Sequence, residues 1–457
     1  MIERTQQVDV VEFIGARGIG RYQVLIFILC LAVVVFDGYD TQAIGYVAPY
    51  MLKELSLTRA ELGPIFSAAL IGSGVGALLT GPISDRIGRK PVIIAAALLF
   101  GLFTFMTAQS SSVGELLTYR FLAGLGLGGA LANASALVVE YTPRKRQVTA
   151  VLWLYLGFSL GSMIGGFLSS SIIAAFSWRS IFYIGALVPV LLAPILWIWL
   201  PESIRFLILR KSDNETVGAL IGRLDPSYVP APGTVFVSNE PRGKEFPVKE
   251  LFRDKRSFGT TLMWTVSFMS LLDIFFLQNW LPTIAADAGL KIETAVFATT
   301  FIQVGSIVCS FVVGLPIGKW GQAPVLSVLY FIGWLAITAI GYTLLEPSLL
   351  VPVCFVVGCC IAAGQNGINA LSATFYPTVM RVTGVGWTQG IGRIGAILSP
   401  FIGSAMIAAK WPHASMFIVV GLPSLLASIA FVLLAANYPV TRAASVPVGE
   451  LAPEPAE

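Results

Sequence analysis

Twelve times along this chain an apolar run recurs at 24–51, 62–84, 91–109, 115–141, 148–175, 180–200, 258–283, 295–317, 324–344, 350–377, 382–409 and 413–436. Each is about 20 residues or longer, the length a helix needs to cross a hydrocarbon core of roughly 30 Å. The composition leaves no soluble alternative. Only 12 % of residues are charged, against ~25 % in an ordinary domain, and mean hydropathy is +0.81. A chain with so few charges cannot cover a water-facing surface, so the sequence predicts an all-α integral membrane protein of twelve transmembrane helices.

Lysine and arginine set the expected orientation. With both termini inside, the inner segments hold 22 of them and the outer loops five (Lys53, Arg59, Arg179, Lys291, Lys410), the asymmetry expected of cytoplasmic loops in a cell inner membrane. The expected divisions are a cytoplasmic N-terminal tail (1–23), a six-helix bundle (24–200), a central cytoplasmic loop (201–257), a second six-helix bundle (258–436) and a cytoplasmic C-terminal tail (437–457). The first run is too long for a signal-peptide core, and no small-residue cleavage site closes it, so it is expected to be a retained span. The central loop carries PSYVPAPG (226–233) and is expected to be interfacial and without regular structure.

The halves look duplicated. GPISDRIGRKPV (81–92) aligns with GLPIGKWGQAPV (314–325), pairing Gly81 with Gly314, Gly88 with Gly321, Pro91 with Pro324 and Val92 with Val325. EYTPRKR (140–146) aligns with FYPTVMR (375–381) at nearly the same offset. Two pseudo-symmetric six-helix halves are the layout of carriers that rock one half against the other.

Other chemistries find no support. The five cysteines lie in apolar runs without CxxC spacing, and one histidine, His413, offers no metal ligand set. GLGLGG (124–129) and GIGRIG (390–395) match a dinucleotide fingerprint only outside its required strand–turn–helix context; inside spans they are expected to let helix backbones approach closely. No nucleophile–base set marks an enzyme, no basic block marks a nucleic-acid binder, and no cofactor or metal is expected. The partners are membrane lipid, protons and a small solute, with the chain acting as a monomer.

Six ionisable residues sit inside the spans: Asp37, Asp40, Arg120, Glu140, Asp273 and Arg393. Each costs about 2.5–3.5 kcal/mol at helix centre on insertion scales. Asp37 and Asp40, in FDGYD (36–40), share a helix face. Two carboxylates that close in a low dielectric cannot both ionise comfortably, so one is expected to take up and release a proton. Arginine suits the opposite job, binding a carboxylate through its planar fork. Arg120 and Arg393 stand in different halves, where a shared anion would tie the halves together. Tyr39, Trp153 and Trp387 are candidates to pack a ring. Gln365, Asn366 and Asn369 keep a sugar-like cargo open, and Asp273 has no assigned role.

These residues resemble a known family. GPISDRIGRK (81–90) is similar to the loop between helices 2 and 3 of the major facilitator superfamily, supported by YRFLAGLG (119–126), WRSIFYIG (178–185) and PESIRFL (201–207). Ser162 in GFSLGSMIGG (157–166) stands where antiporters commonly carry proline, which hints at symport. Within the superfamily, FDGYD resembles the DGxD signature of the aromatic acid:proton symporters, as does YPTVMRVTGVGWTQGIGRIGAI (376–397). The resemblance implies proton-coupled import of benzoate, hydroxybenzoate or phenylpropionate-type acids by alternating access. It places Asp37, Asp40 and Glu140 in proton coupling, Arg120 and Arg393 with the carboxylate, and Asp85, Arg86, Arg89 and Arg381 in gating. One departure stands out: GKWGQAP (318–324) lacks the charges of a second DR…GR-type loop. The alternatives within the fold are a carrier of another organic anion or sugar acid, and an exporter.

Overall fold

A computed structural model of the chain describes residues 7–210, 214–228, 230, 234–238, 248–253, 256–377 and 380–438. The tail expected beyond Tyr438 and half of the PSYVPAPG turn (229 and 231–233) lie outside the described residues. In chain order come β1 (Gln7–Asp9), α1 (Val10–Gly15), α2 (Arg21–Glu54), α3 (Arg59–Ile87), α4 (Arg89–Gln109), α5 (Val113–Tyr141), α6 (Gln147–Ala175) and α7 (Arg179–Trp199). The connector supplies α8 (Ile204–Leu209), α9 (Asn214–Leu224) and β2 (Val235–Val237). Then follow α10 (Ser257–Asp287), α11 (Ile292–Val312), α12 (Gly314–Trp320), α13 (Gln322–Thr343), α14 (Pro347–Val357), α15 (Ala363–Phe375), α16 (Arg381–Ala408) and α17 (His413–Asn437). A π-helical turn, Gly358–Ala362, joins α14 to α15, so those pieces form one interrupted span. Among the described residues twelve helices are long and apolar enough to cross a membrane, and they coincide with the twelve expected runs to within a few residues.

Glycine marks the duplicated positions. Gly88, between α3 and α4, has φ +100°, and Gly321, between α12 and α13, has φ +86°. Only glycine adopts this conformation without strain, and the two are the pair that the sequence alignment superimposes. The GLGLGG segment is a packing seam. A Cβ on Gly124 or Gly128 would overlap the carbonyls of Ala69 and Ser73 on α3, and a Cβ on Gly72 or Gly76 would overlap those of Phe121 and Leu125 on α5. Four glycines from two helices thus interlock. In GIGRIG a Cβ on Gly395 would overlap the Phe268 carbonyl of α10, and one on Gly392 would meet the Ser267 hydroxyl.

Compactness divides the chain into residues 1–41, 68–162 and 179–242 on one hand, and 42–67, 163–178 and 243–457 on the other. This differs from a simple cut at the connector, because the ends of α2, α3 and α6 that carry residues 42–67 and 163–178 cluster with the C-terminal helices. In that second unit α10 packs on α16 and α17, and α13 packs on α17. Arg59 holds Asp287 through two bonds of 2.6 and 2.7 Å, Tyr50 donates to Glu293 at 2.8 Å, and Gln42 donates to the Gln278 carbonyl at 2.9 Å. Ser67 and Ser404 add bonds to the carbonyls of Ile397 and Ala60 at 2.9 and 3.0 Å.

The connector corrects one expectation. It is not without regular structure: β2 pairs in parallel with β1 of the N-terminal tail, Val8 opposite Phe236. Asp9 caps α1 by accepting from the Val11 amide at 2.9 Å. Val10, Phe13 and Ile14 join one apolar cluster with Val217, Leu220 and Ile221 of α9 and with Tyr141 and Leu200. Arg17 lies 3.4 Å above the Phe13 ring and reaches Asp225 at 2.6 Å. The Ser227 hydroxyl, and after it the Arg17 guanidinium, hold the Asp225 carboxyl below the usual carboxylate range. A buried stripe at i, i+3, i+4 in α9 is the sequence signal for this small subdomain; its three-residue strands are too short to leave one.

Candidate functional site

The FDGYD segment lies midway along α2, where Gly38 lets α6 come close. A Cβ there would overlap the Phe158 carbonyl, and the Ser162 hydroxyl donates to the Gly38 carbonyl at 2.9 Å. This approach fixes the rotation of α2 and hence where its two aspartates point. Asp40 has no exposed surface. It accepts from Arg120 Nη1 at 2.8 Å and from the Thr104 hydroxyl at 3.3 Å. Arg120 is equally buried, lies 5.7 Å from the Phe182 ring, and sends its second nitrogen to the Asp40 carbonyl at 3.5 Å. Its Nε finds no partner among the described residues.

The aspartates therefore occupy unlike surroundings. Asp37 keeps 7 % exposure and accepts from Thr41 at 3.3 Å, while Asp40 is sealed in an ion pair. Breaking such a pair from one side typically costs about 3–5 kcal/mol, because the other charge is left buried and uncompensated. The expectation that the aspartates would lean on each other, with Arg120 open to an anion, is thus refined: in this conformation Arg120 is committed to Asp40. Tyr39 turns away and donates to the Ile181 carbonyl at 2.9 Å.

Glu140 is not part of this cluster. Its carboxylate lies 2.6 Å from Arg89, at the end of α5 that faces the start of α4. Glu202, quoted in the PESIRFL segment but given no role, stands beside them. It accepts from the backbone amides of Arg89, Lys90 and Ser203 at 2.7, 3.2 and 2.7 Å, capping the N-terminus of α4 where the helix dipole favours an anion. Gly88 makes room for that carboxylate. Of the gating candidates, Arg89 is held here, Asp85 and Arg86 are exposed, and Asp85 makes no hydrogen bond or ion pair among the described residues. Arg381 is the exposed first residue of α16.

In the second unit Arg393 is half-buried and makes no hydrogen bond or ion pair among the described residues, which leaves its fork available. Trp387 stacks on Trp264 at 5.8 Å and, like Trp153, is nearly half exposed. Asn366 donates to Ser310 at 3.3 Å, and the Gln365 side-chain oxygen is buried without a hydrogen-bond partner among the described residues. Among the described residues no group of three or more His, Cys, Asp or Glu is placed to hold a metal ion.

Residues 30–400 match the profile of the Major Facilitator Superfamily. The chain is 38 % identical to the gallate transporter of Pseudomonas putida, covering 93 % of this chain and 94 % of that one. It is 38 % identical to the 4-hydroxybenzoate transporter PcaK of Pseudomonas aeruginosa, over 94 % of this chain and 96 % of that one. It is 31 % identical to the 3-(3-hydroxy-phenyl)propionate transporter of Escherichia coli, over 83 % and 86 %. Among solved structures it is similar in fold to the inward open conformation of the xylose transporter XylE from E. coli, with TM-score 0.69, 17 % identity, and coverage of 90 % of this chain and 95 % of that one.

Proposed function

The chain belongs to the Major Facilitator Superfamily, and on that footing we propose that it imports a hydroxylated aromatic carboxylate together with protons by alternating access. The cargo class is supported by its relatives, which are named as transporters of gallate, 4-hydroxybenzoate and hydroxyphenylpropionate. The buried Asp40–Arg120 pair is the observation that carries the coupling.

Arg120 can serve one carboxylate well. While Asp40 is ionised it occupies the fork, and an incoming anion meets a neutralised site. Once Asp40 takes a proton, Arg120 is left without a counter-ion in a low dielectric, and the substrate carboxylate is the group that restores it. Anion and proton then bind as one unit, and neither crosses efficiently alone. Asp37, one turn earlier on the same helix and slightly less sealed than Asp40, relays the proton. Within the second unit, Arg393 and the Gln365 oxygen, neither partnered among the described residues, are a cation and an acceptor open to a substrate. Moving a monoanion against an inside-negative potential costs about 2.3 kcal/mol per 100 mV. One accompanying proton cancels that term, so the pH gradient drives accumulation.

The excess of basic residues on one set of loops supports a cell inner membrane location with both termini cytoplasmic. On that orientation the Arg59–Asp287 and Tyr50–Glu293 bonds lie at the outer end and must break for substrate to enter. Asp85, Arg86, Arg89 and Arg381 lie at the inner end, where Asp85 has no partner among the described residues. The two six-helix segments 24–200 and 258–436 are the repeats that move.

Purified protein in liposomes, with a pH gradient imposed and radiolabelled gallate, 4-hydroxybenzoate or benzoate outside, tests this. Uptake is expected to exceed equilibrium with at least one of the hydroxylated acids and to collapse when the gradient is dissipated. Equal accumulation with and without the gradient would exclude proton symport.

A further inference from the structure

Asp273 lies in the middle of α10 with no exposed surface. One of its oxygens takes the hydroxyl of Ser424 from α17, and the other has no hydrogen-bond partner among the described residues. Among the described residues no cation compensates it. α16 carries Arg381 at its first residue and Arg393 further along, and neither pairs with Asp273. α17 presents serines, and α11 has one acid, Glu293, in its first turn, bonded to Tyr50. α13 contributes Tyr330, within electrostatic reach of Asp273 and hydrogen-bonded to Ser270; Cys360 of the π turn lies near that tyrosine. An ionised carboxylate so placed would lack solvent exposure and any charge partner among the described residues, and a buried group in that position neutralises instead.

The surroundings are built for a polar group. Ser270 with Tyr330, Asp273 with Ser424, and Ser327 with Ser428 form three successive hydrogen-bonded rungs through α10, α13 and α17. A serine or an asparagine at 273 would complete that ladder with no titratable group. The chain instead carries an acid whose second oxygen is unsatisfied, a state that holds only while the helices stay closed around it. An ionisable residue kept inside a membrane span marks an ion or proton path by default.

We propose that Asp273 is a proton-binding site separate from Asp37 and Asp40, loaded in this conformation and discharged when the α10–α17 seam admits water during the cycle. It rests on the transport reading above, and adds a second proton to each turnover. The test is to measure protons and 4-hydroxybenzoate moving together in liposomes, for the wild type and Asp273→Asn, and to record the infrared carboxylic-acid carbonyl band of each. The wild type is expected to show a protonated-carboxyl band that Asp273→Asn lacks, and the variant to carry one proton fewer per substrate. If wild-type uptake moves no protons, the symport reading falls and this proposal with it. If wild type and variant carry equal numbers of protons, or the band is unchanged, this proposal alone is overturned. Should Asp273→Asn fail to fold, Ser424→Ala keeps the acid and removes its partner. That variant is expected to shift the band and the pH midpoint of uptake, and no shift in either would overturn the proposal.

Discussion

Asp40 and Asp273 are both aspartates with no exposed surface, each on a long helix near the middle of its apolar stretch, yet their surroundings answer the same electrostatic problem differently. At Asp40 a neighbouring helix brings Arg120 to 2.8 Å, so a charge on the carboxylate meets a counter-charge across one ion pair. At Asp273 the neighbouring helix brings serine, so neutrality has to come from a proton on the acid itself. An intramembrane acid therefore announces a cost but not its remedy; the remedy depends on what the facing helix supplies.

This contrast is open to attack by substitution. The largest effect is expected for Asp40→Asn, which strands Arg120 without a counter-ion. Uptake is expected to vanish and stability to fall by about 3 kcal/mol or more, measured by thermal unfolding of the purified protein in detergent. Gly38→Ala comes next, since it leaves every charge in place but forces α2 away from α6. Transport is expected to drop at least tenfold with near-normal expression; wild-type rates would show that the Asp40–Arg120 geometry tolerates displacement. Thr104→Val removes a 3.3 Å bond to Asp40 and is expected to cost about 1 kcal/mol, read as a several-fold change in uptake. Asp273→Asn replaces a neutral acid by its near-isostere, so its stability loss is expected to stay below about 1 kcal/mol. A melting shift as large as that of Asp40→Asn would mean both aspartates are charged, and the comparison would fail.

The smallest effect is expected at Asp225, in the small subdomain formed by the N-terminal tail and the connector. Its folded carboxyl is held below the ordinary range, so its contribution is complete above the unfolded value and is lost as pH falls through the lowered folded one. Asp225→Asn is expected to leave uptake unchanged and to raise proteolytic cutting of the N-terminal tail slightly at neutral pH. The difference from the wild type is expected to close in acid.

The spans were legible because a membrane helix is a long local signal. The run expected at 180–200 is Arg179–Trp199, and that expected at 413–436 is His413–Asn437. The duplicated loop glycines were also visible, since a positive φ constrains a single residue type. What stayed hidden depended on distant pairings. Arg120 and Asp40 are 80 positions apart, and nothing in either neighbourhood says that one will occupy the other; sequence reasoning gave them independent jobs. Arg59 counted only as an outer-loop charge, and nothing in the sequence ties it to Asp287, 228 positions away. Glu140 was grouped with the proton-handling acids by resemblance, and its ion pair with Arg89 was not legible from either neighbourhood. Glu202 went unassigned because a carboxylate capping a helix from another segment has no spacing of its own.

The interlocked glycines of α3 and α5 have a mechanical outcome. With each backbone seated in the other's groove at four successive points, the two helices have no room to slide or roll, and any rearrangement of the molecule must carry them as a single beam. A chemical crosslink joining them should be silent in every assay of turnover, and the beam is where a label would report rigid-body travel without distorting it.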